Sequence, residues 1–149
     1  MPISKEFQER LTDLVEESGI KKSQLPDKMG VDYRSLSHAL NYGIVPRTRI
    51  VTRMANYFDV SINYILGRSN DDYFKKATIT SDFNTRFVAL CKEKNVTYYK
   101  VGQDNNFDKS YVSKWLKKNY IPSLDILDLL SDYFEVSIDY LLGRTDDRN

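Results

Sequence analysis

The chain has 149 residues, a length that fits one ordinary domain or two very small ones and excludes a large multidomain enzyme. A hydrophobic fraction of 41%, with only 6 Gly and 4 Pro, indicates a folded core rather than a disordered chain. The 22 Lys and Arg nearly balance the 21 Asp and Glu, so any binding to nucleic acid has to depend on local clusters of positive charge.

Several kinds of site and location are excluded by composition. One Cys and one His cannot form an internal disulfide or the usual structural zinc site, so we expect no metal and no cofactor. No Ser/His/Asp set, carboxylate pair or glycine-rich phosphate loop can be assembled, so we expect no catalytic residues and no enzymatic activity. The N-terminal MPISKEFQER lacks a signal-peptide core and no stretch approaches about 18 apolar residues, so we expect a cytoplasmic protein without membrane contact.

The sequence repeats itself at an offset of 76 residues, from Phe7 to Phe83, without a gap from Ile3 to Asp71. The similarity is strongest where YFDVSINYILGR, residues 57–68, aligns with YFEVSIDYLLGR, residues 133–144. We therefore predict a first domain at residues 1–69, a linker at 70–79 and a second domain at 80–149.

Apolar spacing predicts the helices of each copy in turn. The first helix is marked by Phe7, Leu11 and Leu14 at helical spacing, and a later helix by Ile50, Val51 and Met54. A short last helix is expected after Ser61 or Ser137, whose side chains are placed to cap it. In the first copy, Pro26 indicates that the second helix begins late, with Ser23 as its N-cap.

A tight turn separates two short helices in the middle of each copy. Gly30 in the first copy and Asn106 in the second are residues that tolerate positive φ. Asp32 and Asp108 then follow as predicted N-caps of the next helix. Helix, sharp turn and capped second helix form a helix-turn-helix, in which the second helix is the candidate for the DNA major groove.

The sequence resembles the phage-repressor-like (Cro-like, XRE) helix-turn-helix family in four segments: RLTDLVEESGI, KMGVDYRSLSHAL, VSINYILGR and VSIDYLLGR. The resemblance implies an all-α fold of two tandem five-helix helix-turn-helix domains, and a DNA-binding regulator rather than an enzyme. The family's buried ion pair between the first helix and the reading helix is absent, since Val15 with Leu40 and Cys91 with Leu116 occupy those places. Joint replacement by apolar residues keeps the fold stable, because half a buried pair would cost about 3 to 5 kcal/mol.

The outward faces of the two predicted recognition helices carry varied polar residues. Arg34 can bond two acceptors on a guanine edge, and serine, tyrosine and histidine can bond or pack against bases. The residues predicted to contact bases are Tyr33, Arg34, Ser37 and His38 in the first copy and Lys109, Ser110, Ser113 and Lys114 in the second.

Phosphate contacts are expected where basic and polar residues cluster beside these helices. The predicted residues are Lys21, Lys22, Asn41, Arg47 and Arg49 in the first copy and Thr97, Tyr98, Lys117 and Lys118 in the second. Arg53 belongs to the same basic cluster. Tyr98 and Tyr99 leave three interpretations open: they bond phosphates, pack against the first copy, or form a patch for another protein.

The favoured function is a sequence-specific transcriptional regulator, a repressor that binds double-stranded DNA and blocks a promoter by occupancy. Asn149 follows closely on the second GR motif, so we expect no ligand-sensing domain. Because the two outward faces differ, one chain should bind an asymmetric target, whereas a homodimer would bind a palindrome. The alternative is a protein-interaction module, antitoxin-like or inhibitory, in which the tyrosine-rich second copy binds a protein partner.

Overall fold

The computed structural model describes residues 2–149, and over this range the chain forms ten helices and no strand. The only β-type pairing in the described range is an isolated antiparallel bridge between Ile3 and Ile44. The prediction of an all-α fold is therefore confirmed. The chain divides into two compact units, Met1–Phe74 and Lys75–Asn149.

The first unit contains five helices joined by short turns. The N-cap of the first helix is Ser4, whose hydroxyl oxygen accepts a hydrogen bond from the backbone N–H of Phe7 at 3.1 Å, and its C-cap is Gly19, with a left-handed φ of 67°. The helices are α1 (Lys5–Ser18), α2 (Leu25–Met29), α3 (Tyr33–Tyr42), α4 (Thr48–Phe58) and α5 (Ile62–Ile65).

The second unit contains five helices in the same order. Each helix is preceded by an N-cap residue whose side chain accepts a hydrogen bond from a backbone N–H of the first turn. These N-caps are Asp82, Thr97, Asp108, Ser123 and Ser137. The helices are α6 (Phe83–Lys94), α7 (Tyr98–Asn105), α8 (Lys109–Lys118), α9 (Leu124–Phe134) and α10 (Ile138–Leu141).

The start of α2 differs from the prediction. Its N-cap is Gln24 rather than Ser23, and the Gln24 side chain makes no capping hydrogen bond. The reason is that residues 21–24 form a separate turn, in which the Gln24 N–H bonds the Lys21 carbonyl at 2.9 Å. Pro26 nevertheless lies in the first turn of α2, as predicted, where its missing N–H forfeits no intrahelical bond.

The core of the second unit is aromatic. Phe87 lies at its centre, with its ring centroid 5.5 Å from that of Phe83, 5.6 Å from Trp115 and 6.0 Å from Phe134. Phe107 joins the cluster, with its ring 5.5 Å from Trp115. This cluster ties α6 and α9 to the inner side of α8 and so fixes which face of α8 is left outward.

An arginine on the first helix of each unit holds that unit's C-terminal segment. Arg10 donates to the carbonyls of Tyr64 and Ser69 at 2.7 and 2.9 Å. Arg86 donates to the carbonyls of Tyr140 and Thr145, both at 3.1 Å. Each guanidinium also lies over a tyrosine ring, at 3.9 Å from the Tyr64 centroid and 4.0 Å from that of Tyr140. Helices α5 and α10, which have only four residues each, are thereby fixed to the bundle.

The glycine of the repeated LGR motif permits a close backbone approach at the same place. Gly67 and Gly143 have φ of 75° and 74°. A Cβ on Gly67 would lie 2.6 Å from the carbonyl oxygen of Glu6, and one on Gly143 would overlap the carbonyl of Ser81. Only glycine can adopt this φ and also allow this close contact, which explains why both copies of the motif contain glycine.

The segment predicted as a linker, residues 70–79, contains no helix. The Asn70 side chain accepts a hydrogen bond from Arg10 at 3.0 Å and so belongs to the first unit. Ala77 donates to the Arg144 carbonyl at 2.8 Å, and the Thr78 N–H and hydroxyl both donate to Asp146 at 2.8 Å. Residues 77 and 78 are therefore part of the second unit, and the division between the two units falls after Phe74.

Candidate nucleic-acid interface

The turn between α2 and α3 is sharp because Gly30 adopts a φ of 75°. The Asp32 carboxylate then accepts a hydrogen bond from the Ser35 N–H at 2.9 Å and caps α3. The hydrogen bonds from Ser35, aided by the nearby charge of Arg47, hold the pKa of Asp32 below its usual value. Val31 and Leu36, on either side of this cap, are both buried and have the spacing of a hydrophobic staple.

The turn between α7 and α8 has the same form with different residues. Asn106 adopts a φ of 60° in place of glycine. The Asp108 carboxylate accepts from the Ser110 N–H at 2.8 Å, and this bond, with the charges of Lys109 and Lys114, lowers the pKa of Asp108. A Cβ on Gly102 would lie 2.8 Å from the Phe107 carbonyl oxygen, so the turn packs directly on α7.

The outward face of α3 combines exposed and half-buried candidates. Tyr33 is 68% exposed and Arg34 is also exposed, whereas Ser37 and His38 are half-buried. On the opposite side, Leu36 and Ala39 are buried in the core of the unit. The four residues predicted to contact bases therefore share the side of α3 that the core does not use.

Two of these α3 side chains are engaged with neighbours on the same helix. The Asn41 amide donates to the Ser37 hydroxyl oxygen at 3.1 Å, so the predicted phosphate ligand and the predicted base contact form one pair. The His38 ring makes an edge contact with Tyr42, with centroids 5.8 Å apart. These contacts restrict the rotamers of Ser37 and His38. Arg34, the longest side chain on this face, is exposed.

The outward face of α8 carries four lysines. Lys109, Ser110, Ser113 and Lys114, the four predicted base contacts, are exposed, and so are the two predicted phosphate contacts of the last turn, Lys117 and Lys118. The inner side of the helix is fixed by Val112 and Trp115, which are 2% and 4% exposed. The face is therefore positively charged along its whole length.

The basic residues among the predicted phosphate contacts of the first unit lie near two helix starts. Lys21 and Lys22 are exposed in the turn before α2, and Arg47 and Arg49 are exposed at the start of α4. Arg53, which belongs to the same basic cluster, is also exposed, and one nitrogen of its guanidinium donates to the Gly30 carbonyl at 2.7 Å. This bond ties α4 to the turn between α2 and α3.

The predicted phosphate contacts of the second unit have structural roles as well. The Thr97 hydroxyl oxygen accepts from the Lys100 N–H at 3.1 Å and caps α7. The Tyr98 ring stacks on Phe87 with centroids 5.8 Å apart, so Tyr98 packs within its own unit while remaining 40% exposed. Tyr99 is 61% exposed and stands clear of the core.

A groove of about 530 Å³ runs between the start of α7 and the outward face of α8. Its apolar walls come from Tyr98, Tyr99, Val112 and Leu116, and Lys109 and Lys117 are among its polar lining residues. The sequence analysis identifies the two tyrosines as candidates but does not predict the groove, because nothing in the local pattern indicates that Leu116 lies opposite them. The outward face of α8 therefore has an apolar flank as well as a charged one.

Metal-ligand clusters and membrane spans are both absent from the described range. Residues 2–149 contain no group of three or more His, Cys, Asp or Glu that could hold a metal ion. The helices formed by these residues include none long and apolar enough to cross a membrane. The chain's one cysteine, Cys91, is buried, and burial raises the pKa of its thiol to about 11, so it is a core residue.

Comparison with known protein families identifies one part of the chain. Residues 89–141 match the helix-turn-helix family. The matched segment extends from the middle of α6 to the end of α10 and contains α7, the Asn106 turn and α8. The match supports DNA binding by the second unit. No curated protein and no solved structure matches the chain.

Proposed function

We propose that this chain is a sequence-specific regulator of transcription that binds double-stranded DNA and represses by occupying a promoter. In this proposal both units are helix-turn-helix domains in tandem, and α3 and α8 enter the major groove. The observation that carries the proposal is the pair of aspartate-capped helices, each following a left-handed turn and each turning a polar face away from its core.

The two faces suit complementary tasks. Arg34 presents a planar pair of donors that matches O6 and N7 of guanine, whereas the lysines of α8 present single ammonium groups. Phosphate contacts from Lys21, Lys22, Arg47 and Arg49 would fix the first unit on the backbone, and Lys117 and Lys118 would do so for the second. The first unit therefore contributes more to sequence choice, and the second more to affinity.

Selection of bound sequences from a random duplex pool tests the proposal. The full chain should enrich a defined sequence, and log Kd for that sequence should rise linearly with log salt concentration, with a slope of about 0.9 per phosphate contacted. An asymmetric site would indicate one chain with two different readers. A palindrome would indicate two chains on one site, and so a homodimer.

Two substitutions and a control locate the contacts. Arg34→Ala and Lys114→Ala should each weaken binding to the selected sequence, since each removes a donor from an outward face. Lys5→Ala is the matched control, because Lys5 is an exposed lysine on α1, outside both recognition helices. An equal loss with all three variants would indicate nonspecific attraction and would contradict the assigned faces.

A protein-interaction module is the second candidate. The exposed aromatic side chains of the second unit favour it, since Tyr99, Tyr111 and Tyr120 are 61%, 42% and 55% exposed. Salt separates the two functions, because DNA binding falls steeply with ionic strength whereas an apolar protein contact does not. Failure to enrich any DNA sequence would leave this second function as the better one.

A further inference from the structure

We propose that the groove between α7 and α8 of the second unit receives the 5-methyl group of a thymine in the major groove. The inference rests on the proposed DNA-binding function and adds a base preference to it. It adds Leu116, which is not among the residues predicted to contact DNA, and assigns Tyr99 a contact with a base rather than with a phosphate.

The groove lies beside the residues that would enter the DNA. Ser110 and Ser113, two predicted base contacts of α8, line it together with Val112 and Leu116. Its far wall is formed by Tyr98 and Tyr99 from the first turn of α7, and the Tyr98 ring is held there by stacking on Phe87. A base edge that meets the two serines therefore also meets an apolar surface.

The charges around the groove favour DNA as its occupant. Lys109, Lys117 and the Asp108 carboxylate that caps α8 line the groove, and Lys114 lies on the same face of α8, so cations outnumber the single acid. An apolar floor with a cationic rim complements a surface on which an apolar group is flanked by phosphates. The major groove displays one apolar group, the thymine methyl, and its phosphates lie on either side.

The polar chemistry of α8 points to the same base. Its outward face carries lysines and serines and no Asn or Gln, the residues that pair with adenine through two hydrogen bonds. Lysine has donors only, which suits guanine acceptors and the O4 atom of thymine. Contact with the thymine methyl supplies the discrimination between thymine and other bases that these residues cannot supply alone.

The first unit lacks the aromatic wall. At the same offset of 76 residues, Lys22 and Ser23 stand where the second unit has Tyr98 and Tyr99, and Asn41 stands at the place of Lys117. We therefore expect sensitivity to the thymine methyl in the part of the target that the second unit contacts, and not in the part bound by the first.

Uracil substitution tests this inference directly, since uracil differs from thymine only by the methyl group. Each thymine of the selected sequence is replaced in turn, and Kd is measured by fluorescence anisotropy with the full chain at fixed salt. One or two positions should show a roughly fourfold rise in Kd, as expected for loss of one buried methyl group. These positions should fall where Lys114→Ala, and not Arg34→Ala, alters the sequence preference.

A groove variant and a matched control complete the test. Tyr99→Ser installs the residue of the first unit at an exposed position, so the fold is retained, and it should reduce the effect of uracil to less than about twofold. Tyr73→Ser is the control, because Tyr73 is 72% exposed and lies outside the groove. It should leave the effect of uracil unchanged.

The outcomes separate this inference from the proposed function. If the chain binds its selected DNA with the expected salt dependence but uracil and Tyr99→Ser change nothing, the groove lies off the DNA and the inference is overturned while the function stands. If no DNA sequence is enriched, both are overturned, and an acidic protein partner becomes the better occupant of the groove.

Discussion

The two units use the same helix order and the same kinds of cap but fill their cores differently. Leu11 and Ala39 of the first unit occupy the places of Phe87 and Trp115 in the second, so two aliphatic core positions correspond to two aromatic ones. Two features that hold the backbone recur with little change: the arginine on the first helix, whose side chain bonds backbone carbonyls, and the left-handed glycine near each unit's end. The comparison teaches that caps, turns and backbone anchors define the frame, while core volume and outward surface vary around it.

The largest expected effect comes from disturbing a backbone approach that both units share. Gly67→Ala places a Cβ 2.6 Å from the Glu6 carbonyl oxygen at a positive φ, and should lower the free energy of unfolding of the first unit by about 3 kcal/mol. Chemical denaturation followed by far-UV circular dichroism measures the loss.

Gly19→Ala is the matched control for this substitution. Gly19 has a similar φ of 67°, but a Cβ added there would meet no atom within 4 Å, so only backbone strain of about 1 kcal/mol is expected. Equal losses for the two variants would mean that strain alone explains the LGR glycine and that the close approach contributes nothing.

The next prediction compares the two arginine anchors. Arg86 is 8% exposed and Arg10 is half-buried, yet the hydrogen bonds of Arg10 are shorter. Removing a partner from a buried carbonyl costs more than from one that water can reach. We therefore expect Arg86→Met to lower the free energy of unfolding by about 3 kcal/mol and Arg10→Met by about 1 to 2 kcal/mol.

Fluorescence of Trp115, the only tryptophan in the chain, reports unfolding of the second unit. Arg86→Met should shift the fluorescence transition to lower denaturant, and far-UV circular dichroism should detect the smaller change caused by Arg10→Met. A larger loss for Arg10→Met would show that bond length, rather than burial, decides the strength of the anchor.

These anchors also show where the sequence stops being informative. The caps Asp32, Asp108, Ser61 and Ser137 could be predicted because each depends on residues within a few positions. The partners of Arg10 lie 54 and 59 residues away, so the repeat shows that this arginine recurs but not what it holds.

The candidate site likewise has one part that the sequence predicts and another that it does not. Helical periodicity identifies the outward faces of α3 and α8, since Leu36 and Val112 must point inward. The groove beside α8 depends on how α7 packs against it, which periodicity does not determine. The misplaced cap at Ser23 has a local cause, because Pro26 is compatible with a helix start at either of two neighbouring residues.

The third prediction distinguishes the chemistry of the two recognition helices. Arg34→Lys keeps the charge but loses the paired donors, so binding to the selected sequence should weaken about 5- to 100-fold. Lys114→Arg keeps the charge of a side chain that needs only one donor, and should change Kd less than about threefold. Anisotropy titrations at fixed salt measure both, and similar losses in the two variants would contradict the division of tasks between the units.

The smallest expected effect concerns the two aspartate caps at acid pH. The pKa of Asp32 is lowered mainly by hydrogen bonds from Ser35, so its contribution to stability is present above the ordinary value of 3.8 and is lost as pH falls through the lowered value. Asp32→Asn keeps a capping side chain that does not titrate. The free energy of unfolding should therefore decline less between about pH 5 and pH 3 in the variant than in the wild type.

Asp108→Asn extends this test to the second unit, where the carboxylate accepts from the Ser110 N–H and lies near Lys109 and Lys114. Hydrogen bonds are the main cause at both caps, but two lysines favour the charged form of Asp108 and one arginine that of Asp32, so salt should reduce the acid dependence attributed to Asp108 slightly more than that attributed to Asp32. Denaturation followed by Trp115 fluorescence at low and high salt measures the difference. A pH profile of Asp108→Asn that coincides with that of the wild type would mean that the cap is equally strong in both protonation states, and that the lysines of α8 do not interact with its start.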